Sequence, residues 1–322
     1  MSQTLATSQF EAALQAVESE AATPEEKTEM LVEMAMGLQA KPKTPDQLRL
    51  AIALYRRALE ICPADAPLLK TRTTARLGSA LQALPDGGLS ALHEARECYE
   101  RALAVFKDSD KVKPEELAEA EMNLGLVLQS LADSGAARIQ DAIQCYHRAL
   151  KIFTREDYPQ EYGILHNNIA IAYLSMTFPD ARGKLSEALA VQSFEEVLKV
   201  INLIDHPVEY AMIQNNLGNA LQYASSSHVL ENNLRALDAY NEALKVRNAR
   251  DTPLEYANTI SNKANVLKNL PDDPQHPDAG QSANLMQARQ LYLEAKGIFL
   301  RYHQSDSARI VEEALQEAEL KI

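Results

Sequence analysis

The chain repeats itself, and that repetition limits what it can fold into more than any other feature. Five segments align without gaps: PLLKTRTTARLGSALQAL from Pro67, PEELAEAEMNLGLVLQSL from Pro114, PQEYGILHNNIAIAYLSM from Pro159, PVEYAMIQNNLGNALQYA from Pro207 and PLEYANTISNKANVLKNL from Pro253. Their prolines lie 47, 45, 48 and 46 residues apart. Eleven residues after each proline stands a small residue: Gly78, Gly125, Ala170, Gly218 and Ala264. Self-similarity at a period of tens of residues marks an array of stacked units, each too small to bury its own apolar faces.

A second segment alternates with the first, beginning at Ala51, Ala95, Ala142, Ala190, Ala236 and Ala288. Four residues on comes an aromatic each time: Tyr55, Tyr99, Tyr146, Phe194, Tyr240 and Tyr292. Both segments have helical chemistry. Proline is tolerated in a first helical turn, where its missing N–H has no intrahelical partner, and the following glutamates suit the positive helix end. In the second segment, small, aromatic and aliphatic residues recur at helical spacing on one face. Breaker-rich stretches separate the two, among them LPDGGLS, LADSGAA, TFPDARGK and LPDDPQHPDAGQS. Each repeat therefore reads as a helix A, a loop, a helix B and a turn. An earlier stretch, TPEEKTEMLVEMAMGLQA, reads as a degenerate helix A paired with the helix that holds Tyr55. The expected organisation is one all-α domain over residues 1–322. It comprises an N-terminal helical segment (1–23), about six helix pairs (24–302) and a C-terminal capping helix (303–322) that opens with cap-type residues.

These motifs resemble the tetratricopeptide repeat. The small-residue signature appears as Leu77-Gly78, Leu124-Gly125 and Leu217-Gly218, and the paired alanines with an intervening aromatic as Ala236, Tyr240 and Ala243. The period departs from the family's usual 34 residues, and His166 and Gln214 stand at its tryptophan position. Longer repeats of this kind, with an NNLG or NNLA helix A, look like kinesin-light-chain-like and bacterial members. The resemblance implies a right-handed α-solenoid of stacked antiparallel helix pairs, with the A helices lining a concave groove that holds a peptide or protein.

On that footing the groove candidates form columns. Nine residues after each proline stand Arg76, Asn123, Asn168, Asn216 and Asn262; one residue earlier come Asn167 and Asn215; three later come Asn219 and Asn265. Asn258 and Arg72 lie one turn before the central column. Asparagine costs about 0.5 kcal/mol or more against alanine inside a helix, so a stack of them calls for a cause. Two causes are open: a ladder of amides gripping a partner's backbone with both donors and acceptors, or amides that hold neighbouring helices and loops together. Arg72 and Arg76 add a positive spot suited to a carboxylate, or else a solvated helix face. The tyrosines of the PxEY turns (Tyr162, Tyr210, Tyr256) are expected to pack on the preceding helix B. Cys98 and Cys145 read as buried small hydrophobes, and Asp272, Asp273, His276 and Asp278 as a solvated loop.

No nucleotide-binding, metalloprotease or serine-hydrolase motif is present, so neither catalytic residues, cofactor nor metal is expected. A net charge of −13 disfavours nucleic acid and anionic membranes as partners. Three cysteines without CxxC spacing and the lack of a signal-like N-terminus point to the cytoplasm. The expected role is a non-catalytic scaffold or adaptor for another protein or peptide, with self-association also open. Alternatives are a dedicated assembly or maturation chaperone for one client enzyme and, less favoured, a small-ligand receptor or enzyme on the solenoid.

Overall fold

The computed structural model describes residues 2–176, 181–224, 228–276, 278 and 280–321, with side chains from residue 10 onward. The TFPD portion of one expected loop lies outside these residues. Among the described residues there are helices and loops but no strand. The order is α1 (Ser2–Ser19), α2 (Pro24–Ala40), α3 (Pro45–Ile61), α4 (Pro67–Gln82), α5 (Gly88–Phe106), α6 (Pro114–Asp133) and α7 (Ile139–Ala149). It continues with α8 (Pro159–Leu174), α9 (Ala181–Val197), α10 (Pro207–Tyr223), α11 (Val229–Ala243), α12 (Pro253–Leu267), α13 (Ser282–Arg301) and α14 (Ser305–Glu319).

Helix contacts group into two compact units, residues 1–154 and 155–322. The first holds the hairpins α2/α3, α4/α5 and α6/α7, with α1 packed on α3 and α2. The second holds α8/α9, α10/α11 and α12/α13, with α14 against α13. Each hairpin pairs an A helix with the helix that follows it. Helix α14 buries one apolar face through Ala308, Val311, Leu315 and Ala318. No helix among the described residues is long and apolar enough to cross a membrane.

The prolines do what their chemistry allows. Pro24, Pro67, Pro114, Pro159, Pro207 and Pro253 stand in the first turn of each A helix. At α2 the missing donor is complemented by a reciprocal cap: Thr23 Oγ1 accepts from the Glu26 N–H at 3.2 Å, and Glu26 accepts from the Thr23 N–H at 2.7 Å. Before α10 and α12, Asn202 and Asn248 accept two backbone N–H groups each and turn the chain into the next proline.

In three hairpins the helix B aromatic lies against the glycine of helix A: Tyr99 on Gly78, Tyr146 on Gly125 and Tyr240 on Gly218. Tyr55, Tyr146, Tyr240, Tyr292 and Phe194 are fully buried, and Tyr99 is almost so. A Cβ built on Gly125 would fall 2.4 Å from Tyr146 Cε1, and one on Gly218 would fall 2.6 Å from Tyr240 Cε1. These glycines are therefore the floor on which the three rings rest.

The two units lock their hairpins differently. Six residues after the helix B alanine the first unit has Arg57, Arg101 and Arg148, and the second has Glu196, Glu242 and Glu294. In the first unit Arg148 clasps the buried Glu121 of α6 through two bonds of 2.8 Å. In the second, each glutamate accepts a tyrosine hydroxyl from its own helix A: Tyr162 at 2.7 Å, Tyr210 at 2.9 Å and Tyr256 at 3.0 Å. Lys199 and the Tyr162 hydroxyl hold the Glu196 carboxyl below its ordinary range, and Lys245 does the same for Glu242. The hydroxyls of the PxEY tyrosines thus bond to the following helix B.

Candidate functional site

Residues two, five, nine, twelve and sixteen positions after the A-helix proline share one stripe, because steps of three and four residues return to the same helix face. In the second unit its first position is a glutamate each time (Glu161, Glu209, Glu255), and the rest of the stripe differs from it. In the second unit this stripe carries Ile164, Asn168, Ile171 and Ser175 on α8, and Met212, Asn216, Asn219 and Tyr223 on α10. On α12 and the residues after it come Asn258, Asn262, Asn265 and Asn269. All of these are half-buried or exposed. None is charged, in a chain whose residues are 24% charged overall. The matching positions of the first unit are Arg72, Arg76, Ser79 and Ala83 on α4 and at its end, and Glu119, Asn123, Leu126 and Ser130 on α6.

The asparagines of the second unit fall into three groups. Asn219 and Asn265 are engaged inside the fold: Asn219 Oδ1 accepts the Tyr240 hydroxyl at 2.7 Å, and Asn265 Oδ1 accepts the Tyr292 hydroxyl at 2.6 Å. Asn167 Oδ1, Asn168 Nδ2 and Asn215 Oδ1 are buried without a hydrogen-bond partner among the described residues. Asn216 and Asn262 are half-buried and Asn258 is exposed. In the first unit, Asn123 is half-buried on α6 and Arg76 lies against Met36 Sδ. Arg72 makes a fork to Glu116 of α6, with Nε and Nη2 at 2.7 and 2.8 Å from its oxygens. The carboxylate that Arg72 faces thus belongs to the chain itself.

Amides cap four of the five buried helix B tyrosines, and the Tyr99 hydroxyl is the exception, buried without an amide partner. Gln39 accepts from Tyr55 at 2.9 Å, Gln129 from Tyr146 at 2.7 Å, and Gln222 joins Asn219 on Tyr240 at 2.9 Å. In the α8/α9 hairpin the capping positions are Ile171 and Leu174, and the buried aromatic is Phe194, which has no hydroxyl to satisfy. Burial raises the pKa of these phenols, that of Tyr55 to about 12, so they stay protonated donors.

This division makes a stability prediction. Asn265→Ala strands the fully buried Tyr292 hydroxyl and is expected to cost about 1 kcal/mol net, the unmet donor outweighing alanine's better helix propensity. Asn262→Ala should be neutral or stabilising by up to about 0.5 kcal/mol. Urea midpoints of the two variants check the contrast, and equal shifts would remove the assignment of Asn265 to the tyrosine.

The remaining candidates have structural surroundings. Cys98 and Cys145 are buried, and burial lifts both thiols, Cys145 to about 12. Asp272 accepts the backbone N–H groups of Ala283 and Asn284 at 3.0 and 2.8 Å and so caps α13. Asp273 pairs with His276 at 2.7 Å on the surface, and no group of three or more His, Cys, Asp or Glu among the described residues could hold a metal ion.

Column reading of the asparagines passed over two glutamates, Glu209 and Glu255, two residues after the prolines of α10 and α12. Both are exposed, and neither forms an ion pair among the described residues. Their equivalent on α6 is Glu116, the partner of Arg72. Comparing which residue stands beside this column in each repeat is the sequence signal that singles them out.

No family model and no curated protein sequence matches the chain. Solved structures do. BtubC (BKLC) from P. vanneervenii is 20% identical with a TM-score of 0.50, over 76% of this chain and 89% of that one. The apo form of RapI is 14% identical with a TM-score of 0.53, over 98% of this chain and 80% of that one. At such identities the likeness speaks to architecture, which agrees with the A/B hairpins and their small-residue and aromatic columns: the chain has the fold of the tetratricopeptide-like helical solenoids.

Proposed function

We infer that the chain is a non-catalytic scaffold that captures a segment of another protein, and that the A-helix stripe of its second unit is the contact surface. The observation that carries this is the partly exposed stripe of α8, α10 and α12, which holds no charge after the glutamate of its first turn. Fold stability alone gives no reason to clear an outward-facing helical stripe of charge, since solvated lysines and glutamates are better helix formers than asparagine. A surface of amides and apolar side chains suits a bound chain: asparagine offers donors and acceptors to a peptide backbone, while Ile164, Met212 and Tyr223 offer apolar contact area.

The test places a photo-crosslinking amino acid at Ile164 or Met212, and as a control at Leu293 on α13, in the full chain expressed in its native cells. Crosslinks to one protein are expected from the α8 and α10 positions and not from α13. They should disappear in the Asn168→Ala/Asn216→Ala/Asn262→Ala variant while its melting temperature holds or rises. A partner retained by the folded variant and crosslinked from Leu293 would place the interface elsewhere and overturn this assignment.

A further inference from the structure

The Arg72–Glu116 pair shows what the register between successive A helices brings together. Arg72 stands five residues after the proline of α4, and Glu116 two residues after the proline of α6. From those positions the side chains meet in a fork of 2.7 and 2.8 Å. The second unit keeps the carboxylate and omits the cation. Glu209 of α10 follows Ile164 of α8 in this register, and Glu255 of α12 follows Met212 of α10. Ile164 is 48% exposed and Met212 40% exposed, and both glutamates are exposed. Arg247 feels the charge of Glu255 but forms no ion pair with it, and its Nη1 donates instead to Thr259 Oγ1 at 2.9 Å. The register position that Arg72 holds in the first unit is thus taken in the second by Ile164 and Met212, and the glutamates that follow them in register, Glu209 and Glu255, form no ion pair among the described residues.

We propose that Glu209 with Ile164, and Glu255 with Met212, are two docking points for arginine or lysine side chains of the bound partner segment. Each would seat the partner's cation where Arg72 seats its own. Such a side chain matches the pair on both counts: its alkyl stem covers the apolar residue and its charged head meets the carboxylate. Arginine fits better than lysine, because a guanidinium makes the two-bond fork seen at Glu116. The net charge of −13 favours the approach of a basic segment. Helices α10 and α12 are in direct contact, and packed helix axes lie about 8–10 Å apart. An extended chain spans that distance in about three residues. The partner segment accordingly carries two basic residues about three apart, with uncharged residues toward the asparagine stripe.

This assignment rests on the stripe being the partner surface, and its test separates the two. A phage-displayed random 12-residue library is selected on the full chain, and enriched peptides are synthesised and titrated by fluorescence anisotropy. Enrichment of paired Arg or Lys about three residues apart is expected. Glu209→Gln/Glu255→Gln should weaken these peptides about tenfold, and raising the salt concentration should narrow that gap. Ile164→Arg/Met212→Arg, which supplies each carboxylate with an internal cation as Arg72 does, should weaken them at least as much. Unchanged melting shows that both variants are folded. Peptides without a basic bias, or indifferent to both charge variants yet lost in Asn168→Ala/Asn216→Ala/Asn262→Ala, overturn the docking points and leave the stripe standing. No enrichment, or peptides indifferent to all three variants, overturns both.

Discussion

Arg148→Met is expected to lower the stability of the first unit by about 3 kcal/mol, a large effect for a residue whose side chain is 40% exposed. The cause is its partner. Glu121 is 2% exposed and lies on the inner face of α6, where its two oxygens accept from Arg148 Nε and Nη2, each at 2.8 Å. Lys107 Nζ, at 3.4 Å, is the other cation in reach and is half in solvent. Methionine keeps much of the arginine stem and removes the fork, so the loss is that of a buried carboxylate without its main counter-charge. Arg148 also donates to Cys145 Sγ at 3.0 Å, a weak bond that adds little. A second substitution separates this account from simple loss of packing. In Arg148→Met/Glu121→Leu no charge is left behind, and an apolar pair of similar volume commonly equals or exceeds the ion pair it replaces. The double variant should recover most of the lost stability in urea unfolding followed by circular dichroism. A single variant within about 1 kcal/mol of the parent, or a double variant no better than the single, would sink the explanation.

How far the sequence discloses the molecule depends on whether a feature repeats. Prolines, the small-residue column and the helix B aromatics recur in register, and the helices begin and pack where those columns say. The expected pairing of TPEEKTEMLVEMAMGLQA with the Tyr55 helix is the observed α2/α3 hairpin. What a column cannot disclose is the destination of a side chain that has two equally good ones. Asn262 and Asn265 are the same residue type within one helical turn, yet Asn265 reaches the Tyr292 hydroxyl and Asn262 does not. The distinction was nonetheless present as covariation between helices. Where the aromatic is Phe194 the capping positions of α8 are Ile171 and Leu174, and where it is Tyr240 they are Asn219 and Gln222. The tyrosines of the PxEY turns show the opposite case. Their recurrence was legible but the acceptor of their hydroxyls was not, because ring packing leaves the direction of the hydroxyl open. Glu196, Glu242 and Glu294 supply that acceptor on the following helix.

Gly125→Ala is expected to destabilise the first unit by about 2 kcal/mol, although alanine is the better helix former. Glycine inside a helix costs about 1 kcal/mol against alanine, so a substitution that touched nothing would stabilise. Gly297 of α13 supplies that case: a Cβ there meets nothing within 4 Å, and Gly297→Ala should gain up to about 1 kcal/mol. At Gly125 the new carbon falls 2.4 Å from Cε1, 2.7 Å from Cδ1 and 3.0 Å from Cζ of Tyr146. These atoms belong to the body of a fully buried ring, tethered at its far end by the Gln129 amide. The ring cannot swing aside as a flexible side-chain tip would, so α6 and α7 must part or the hydroxyl must leave its acceptor. Overpacking of this kind costs about 1–3 kcal/mol or more. Ala170 and Ala264 mark the boundary of the rule, because they occupy the same column opposite Phe194 and Tyr292. The column thus tolerates alanine in other hairpins, and the penalty at Gly125 arises from the closeness of its own ring. The decisive comparison is a double-mutant cycle with Tyr146→Leu. Removing the ring should make Gly125→Ala neutral or favourable, giving a coupling of about 2 kcal/mol; additive effects would mean that the glycine is there for some other reason than the ring.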